Sequence, residues 1–281
     1  MKKSRAGKTS LARILIYALM ILYAAISLYP LIWLFLYSFK TNEEIFVTNP
    51  FGLPQQWRVS NYVEATTRFN IMAYFKNSVL VSAATIAITV LCSLMFCYVI
   101  ARLRNRMTRA LHSLLMAGMF IPIQAVMIPL VIMVRRVGLA NSLWSVIIPY
   151  AATGFPFACM LLYGFYLGIP VALEESAYLD GANFGRTYFS IIFPQMKSPI
   201  CVLAIYEFMS TWNEFSLAKV LLTKNDIMTL PLGLAGFWGS YSTQWGVIGA
   251  ALIIASAPIL ILYLFFSNQV ADSMALSGMK G

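Results

Sequence analysis

The sequence predicts an all-α, polytopic membrane protein with six transmembrane helices, and three observations carry that expectation. The 281 residues are 60% hydrophobic and 11% charged, far more apolar surface than a soluble domain of this length can enclose. The apolar residues gather in six runs, each near the roughly 20 residues that a helix needs to cross a hydrocarbon core of about 30 Å. Most basic residues stand beside these runs rather than deep within them, as expected of a chain oriented in a bilayer.

The runs cover about 13–39, 73–100, 110–134, 143–167, 200–222 and 246–267. The first follows Lys2, Lys3, Arg5 and Lys8, which resembles the start of a secretory signal, but its apolar stretch from Ile14 to Phe39 is too long and no A-x-A-like cleavage site follows. It is therefore expected as a retained span. Pro30, Pro122, Pro129, Pro149, Pro156 and Pro258 lie within or beside the runs and predict kinks, which membrane helices tolerate because neighbours satisfy the freed carbonyls. With a cytoplasmic N-terminus, twelve Lys and Arg fall inside, including Arg102, Arg104, Arg106 and Arg109, and eight fall outside, with Arg135 and Arg136 against the rule. Six spans then return the C-terminus to the cytoplasm.

The connections at 40–72 and 223–245 hold clusters of turn formers and aromatics, and Trp57, Trp238 and Trp245 suit membrane-interface anchors. No low-complexity tract, convincing repeat or separable soluble segment interrupts the chain, so residues 1–281 are expected to form a single transmembrane domain. The formal charge of +10 sits where membrane orientation needs it, which argues against nucleic acid. Cys92, Cys97, Cys159 and Cys201 lie in apolar runs without ligand spacing and suit small buried hydrophobes, with no metal site and no disulfide frame.

Between the fourth and fifth runs, residues 169–199 have the grammar of two short helices. Pro170 suits a first helical position, Glu174 and Glu175 an early turn, and Gly181 the residue just past the end. Asn183 suits the cap of a second helix, with Phe184, Tyr188, Ile191 and Ile192 near one face and Pro194 closing it. Helices this short are marginal in water, so they need packing against the rest of the chain or a partner.

The same loop resembles the EAA motif of ATP-binding-cassette importer permeases. Glu175-Ser176-Ala177, then Gly181, then Ile191 and Pro194 keep its spacing, with Ser176 in place of alanine and Phe193 in place of leucine. The resemblance implies the type I importer transmembrane fold. It also implies that Glu175, Ser176, Ala177, Asp180, Gly181, Ile191 and Pro194 dock a separate ATPase, although Glu175 equally suits service to its own helix. Further pieces are similar to the carbohydrate branch that includes the maltose-type permeases: Pro54 to Ala65 with Trp57, Asn61 and Tyr62; Asp180-Gly181-Ala182; Trp212-Asn213-Glu214-Phe215; Thr229 to Gly233; and Gly278-Met279-Lys280-Gly281.

By that resemblance the chain is one subunit of a sugar importer in a bacterial or archaeal cytoplasmic membrane, working by alternating access. A second permease subunit, two ATPase copies and an extracellular solute-binding protein are its expected partners. ATP and Mg would bind on the ATPases; this chain is expected to hold no cofactor and to catalyse nothing. Gly7-Lys8-Thr9 imitates the end of a nucleotide loop, but Lys2 stands where the first glycine belongs. An ion-coupled secondary transporter, or a permease for a non-sugar solute, is the alternative.

An ionisable residue inside a span costs about 2.5–3.5 kcal/mol on insertion scales and normally faces a cavity or a partner. Glu207 and Glu214 stand two helical turns apart in the fifth run, and with Trp212 and Asn213 they suit a polar, aromatic stripe along a sugar path. Contact with the partner permease or a neighbouring helix suits them equally. Gln124, His112 and the Gly164–Gly168 pair are weaker signals and read as structural.

Overall fold

A computed structural model describes residues 5–68, 70–103, 105–237 and 244–278. Of the residues discussed above, Lys2, Lys3, Arg104, Trp238 and Met279 to Gly281 lie outside the described residues. In chain order the helices are α1 (Arg5–Tyr37), α2 (Ser60–Arg68), α3 (Ile71–Arg102), α4 (Arg106–Gly118), α5 (Ile123–Arg136), α6 (Trp144–Gly168), α7 (Ala172–Leu179), α8 (Phe184–Thr187), α9 (Phe193–Gln195), α10 (Lys197–Trp212), α11 (Ser216–Leu221), α12 (Leu230–Ala235) and α13 (Trp245–Gly278). Among the described residues there is no strand.

Four of these helices are long and apolar enough to cross a membrane alone: Leu11–Tyr37, Ile71–Arg102, Trp144–Gly168 and Trp245–Phe266. Two bent pairs raise the total to as many as six. Where the expected third span lies, α4 and α5 meet at 104°. The turn between them ends on Pro122 in extended conformation (φ −67°, ψ 135°), which suits the start of a helix but not the interior of one. Where the expected fifth span lies, the helical segment Phe184–Gln195 meets α10 at 67°, and α10 stops at Trp212 before α11 resumes at Ser216.

The chain divides into two compact units, Met1–Ile71 with Phe237–Ser256, and Met72–Gly236 with Ala257–Gly281. In the first, α1 carries exposed apolar side chains along most of its length, Tyr23 being 75% exposed, as befits a helix solvated by lipid or covered by another chain. The loop after α1 is folded around Lys40, which is buried and donates to the carbonyls of Asn49 (2.7 Å) and Gly52 (2.7 Å). Asn61, at the start of α2, donates to the carbonyls of Ser38 (2.8 Å) and Lys40 (3.1 Å). The first turns of α13 close this unit. A Cβ on Gly249 would lie 2.7 Å from Tyr37 Cε1 and 3.1 Å from the backbone of Ser38.

In the second unit, one apolar cluster joins α3 and α6 to the segment between Tyr188 and Leu203, through Leu94, Cys97, Tyr98, Leu162, Tyr166, Ile192, Met196 and Leu203. A second gathers Val81, Val134, Val146, Ile147, Leu217, Leu221 and Leu232. Polar ties bind the connection after α11 to α3: Tyr74 donates to Asn225 (2.5 Å), and Ser78 Oγ accepts from the Leu230 amide (2.8 Å). Cys97 and Cys159 are buried and Cys92 exposed, all as free thiols.

Because the approach at Gly249 includes main chain, Gly249→Val forces a backbone shift in the first unit. Overpacking of this kind costs about 1–3 kcal/mol, and a lowered thermal midpoint of the detergent-solubilised protein is the expected reading.

Candidate functional site

The segment between α6 and α10 is built from its caps outward. α7 ends in a Schellman turn: Gly181 adopts φ +79°, its amide donates to Tyr178 O (3.1 Å), and Ala182 N donates to Ala177 O (2.9 Å). Asn183 then caps α8, accepting from the Arg186 amide at 2.9 Å. Beyond α8 the helix widens into a π turn at Tyr188–Ile192 and continues through α9. Pro194 lies in α9, and the helical segment ends one residue beyond it at Gln195, close to where the proline was expected to close it. The widened turn also shifts the apolar face. Tyr188 and Ile192 are buried, Ile191 is half-buried, and Phe184 is 60% exposed.

What fixes α7 to the membrane helices is Glu174. Its Oε1 accepts from Arg102 Nε at 2.5 Å and its Oε2 from the Tyr98 hydroxyl at 2.8 Å. The Arg102 guanidinium, at the end of α3, also donates to Tyr166 O (3.2 Å) and Ile169 O (3.3 Å), carbonyls at the end of α6. One charge pair, with side chains 12% and 8% exposed, thus ties the last turns of α3 and α6 to the first turn of α7. Tyr166, wholly buried, extends the network to Tyr188 (3.0 Å) and to Leu94 O (3.2 Å).

Only Glu174 and Ala177 are buried on α7, which sets its phase. Glu175, Ser176, Tyr178, Leu179 and Asp180 are exposed, Leu179 at 89%. Of the residues assigned to docking, Glu175, Ser176, Asp180, Gly181 and Pro194 are on the surface, whereas Ala177 packs inward. Ser176 Oγ is turned back onto Ala172 O (2.8 Å).

The stripe expected on one helical face is assembled differently. Asn213 (φ −93°, ψ −2°) ends α10, so Glu214 is not two turns further along the same helix as Glu207. Instead it stands ahead of α11 and spends its carboxylate on that helix, accepting from Leu217 N (2.8 Å), Ala218 N (3.1 Å) and the Tyr150 hydroxyl. The break nevertheless brings both glutamates to one cavity of about 490 Å³, with Tyr150, Thr153, Gly154, Phe157, Tyr206 and Ser210 among its lining. Asn213, exposed, donates to Met209 O (2.8 Å); Trp212 is buried between Phe75 and Phe208. Neither lines that cavity. Gln124 is exposed, and an added Cβ on Gly164 would meet nothing within 4 Å. Among the described residues no group of three or more His, Cys, Asp or Glu is placed to hold a metal ion.

Long apolar helices, two bent helix pairs and a capped helical loop hung from a buried ion pair define a multi-pass α-helical membrane protein. Residues 90–275 match the family described as binding-protein-dependent transport system inner membrane component, and the chain belongs to that family. It is 33% identical over 278 residues to the diacetylchitobiose uptake system permease protein NgcG of Streptomyces coelicolor, covering 98% of this chain and 92% of that protein. It is 34% identical over 281 residues to the probable ABC transporter permease protein YurM of Bacillus subtilis, covering 100% and 91%. Its fold is similar to a chain of a bacterial ABC transporter involved in the import of the acidic polysaccharide alginate, with a TM-score of 0.84 at 20% identity, covering 95% of this chain and 99% of that one.

Truncating Arg102 leaves Glu174 buried without its cation. Removal of one partner from a buried pair costs about 3–5 kcal/mol, so Arg102→Ala is expected to release α7, read as faster amide hydrogen exchange across residues 172–182, whereas Glu175→Ala leaves that exchange unchanged.

Proposed function

We propose that the chain is the permease subunit of an ATP-binding-cassette importer that moves a sugar or oligosaccharide across the cytoplasmic membrane by alternating access. The observation that carries this reading is the α7–α9 segment. It keeps the spacing of an ATPase-docking motif, is clamped to α3 and α6 by Glu174 and Arg102, and leaves Glu175, Ser176, Leu179 and Asp180 exposed. Short helices held from one side and bare on the other are suited to passing displacement from a partner into the helices behind them. The sugar reading is supported by relatives named for diacetylchitobiose uptake and for multiple sugar-binding transport, the latter being MsmG of Streptococcus mutans, 31% identical over 268 residues.

In this reading one of two ATPase copies docks on α7 from the cytoplasm, where both termini also lie, and the two ATPases bind the ATP and Mg. This chain supplies one transmembrane domain, pairs with a second permease subunit, and takes substrate from an extracellular binding protein. It catalyses no reaction and holds no cofactor. Closure of the ATPases would push α7. The Arg102–Glu174 pair would carry that push into α3 and the end of α6, biasing the helices between two states according to which partner is bound. Glu207 and Glu214 would line the substrate path, with Asn213 and Trp212 on the broken turn between them.

Leu179 gives the direct test, because an apolar side chain 89% exposed contributes little within the chain and surface substitutions of this kind stay within about 0.5 kcal/mol. Leu179→Asp is expected to keep the thermal midpoint but to abolish co-purification with the ATPase subunits and ATP-driven uptake into proteoliposomes. Undiminished ATPase binding by that variant would sink the docking assignment.

A further inference from the structure

No Asp or Glu occurs between Glu64 and Glu174, yet Arg102, Arg104, Arg106 and Arg109 crowd one short stretch of that interval. Arg102 is neutralised by Glu174. Arg109, on α4, is exposed and its side chain has no hydrogen-bond or ion-pair partner among the described residues, and it borders a cavity of about 640 Å³ between α3, α4 and α6. Thr108, His112, Ser113 and Tyr163 also line this cavity, and no carboxylate does. The remaining lining residues, Ile100 and Leu167, stand within two residues of the ends of the spans Ile71–Arg102 and Trp144–Gly168, which puts the cavity at the depth where hydrocarbon gives way to headgroups.

Part of the wall is already committed. His112 lies against the Tyr163 ring, with centroids 4.3 Å apart, and its Nε2 is shut away from solvent. The Thr108 hydroxyl is spent on the carbonyls of Leu103 and Asn105. The donors that an incoming group can reach are the guanidinium of Arg109 and the hydroxyl of Ser113, both exposed and about one turn apart on α4. A cation beside a hydroxyl, with no acid near either, is matched by an anion that has several acceptor oxygens.

The far side of α4 indicates where that anion comes from. Met107, Leu111 and Leu114 form a stripe opposite Arg109 and are 67%, 39% and 70% exposed. Lipid solvates such a stripe and water does not, so the headgroups of the surrounding leaflet are the anions at hand. We propose that this cavity seats the headgroup of an anionic phospholipid, with Arg109 pairing with the phosphate charge and Ser113 donating to a phosphate oxygen. Basic pockets between membrane helices hold acidic headgroups in this way.

The test uses the assembled transporter with its partner subunits in neutral detergent. It is titrated with phosphatidylglycerol, with phosphatidylcholine of the same chains and with glycerol 3-phosphate, and bound lipid is read by native mass spectrometry. Phosphatidylglycerol is expected to bind about fivefold more tightly than phosphatidylcholine and to stay bound against glycerol 3-phosphate. Arg109→Gln should weaken phosphatidylglycerol by about fivefold. Ser113→Leu, which keeps every charge but fills the mouth of the cavity, should weaken it in the same direction. Both positions are exposed, so the thermal midpoint is expected to hold. Arg106→Gln, exposed but outside the cavity lining, should change the affinity by less than about twofold.

Equal losses from Arg106→Gln and Arg109→Gln would reduce the effect to diffuse surface charge and overturn the site. Displacement of the lipid by equimolar glycerol 3-phosphate overturns it too, by assigning the cavity to a soluble phosphate ester. So does a lack of preference for phosphatidylglycerol, as when an acidic side chain of the partner permease fills the cavity. A transporter that binds the lipid selectively yet moves no sugar would count against the importer reading and leave the lipid site standing.

Discussion

The buried contact between Arg102 and Glu174 is the constraint on which the arrangement of the second unit turns. α7 and α8 are eight and four residues long, too short to persist alone, and α7 buries only two side chains of its own. A helix with so little apolar grip must be held by something directional. The guanidinium provides this because its fixed fork reaches three groups at once: the Glu174 carboxylate, Tyr166 O and Ile169 O. The same fork settles the end of α6, whose last carbonyls lack intrahelical partners.

A buried ion pair is weak evidence for stability, since desolvation offsets much of the Coulomb gain. Its value here lies in position. Replacing both partners by leucines could keep α7 packed, yet apolar contacts permit sliding and rotation that a three-point clamp forbids. A segment meant to move with the helices behind it needs that rigidity. The Tyr98, Tyr166 and Tyr188 rings, with centroids 5.0–5.7 Å apart around the pair, exclude water and keep the clamp stiff.

Much of this was legible in the sequence, and what was missed has identifiable causes. The apolar runs located the long helices because lipid demands length and hydrophobicity, both local properties. Gly181 and Asn183 were legible as caps because their roles depend on their own backbone angles and near neighbours. The bends were not. A sharp turn before Pro122 and the break after Trp212 require knowing what packs on each side, and a run of apolar residues reads the same whether straight or folded. Glu174 and Glu175 looked alike, for adjacent residues on a helix point about 100° apart and only the phase of α7 decides which one turns inward. Arg102 counted merely as an orienting charge, since its partner lies 72 residues away.

The two intramembrane glutamates show the same limit from the other side. Helical spacing put Glu207 and Glu214 on a common face, and they do share a cavity, but through a break that the spacing argument excluded. That break gives them different work. A carboxylate ahead of a helix start is drawn to free amides, so Glu214 is consumed by α11 and stabilises the interrupted turn. Glu207, inside the unbroken α10, has every nearby amide already committed to the helix, and its Oε1 stays buried against Gly154 without a hydrogen-bond partner. The interruption therefore diverts one acid to structure and leaves the other on the cavity wall, where Gly154, unremarkable in sequence, decides how that acid can stand.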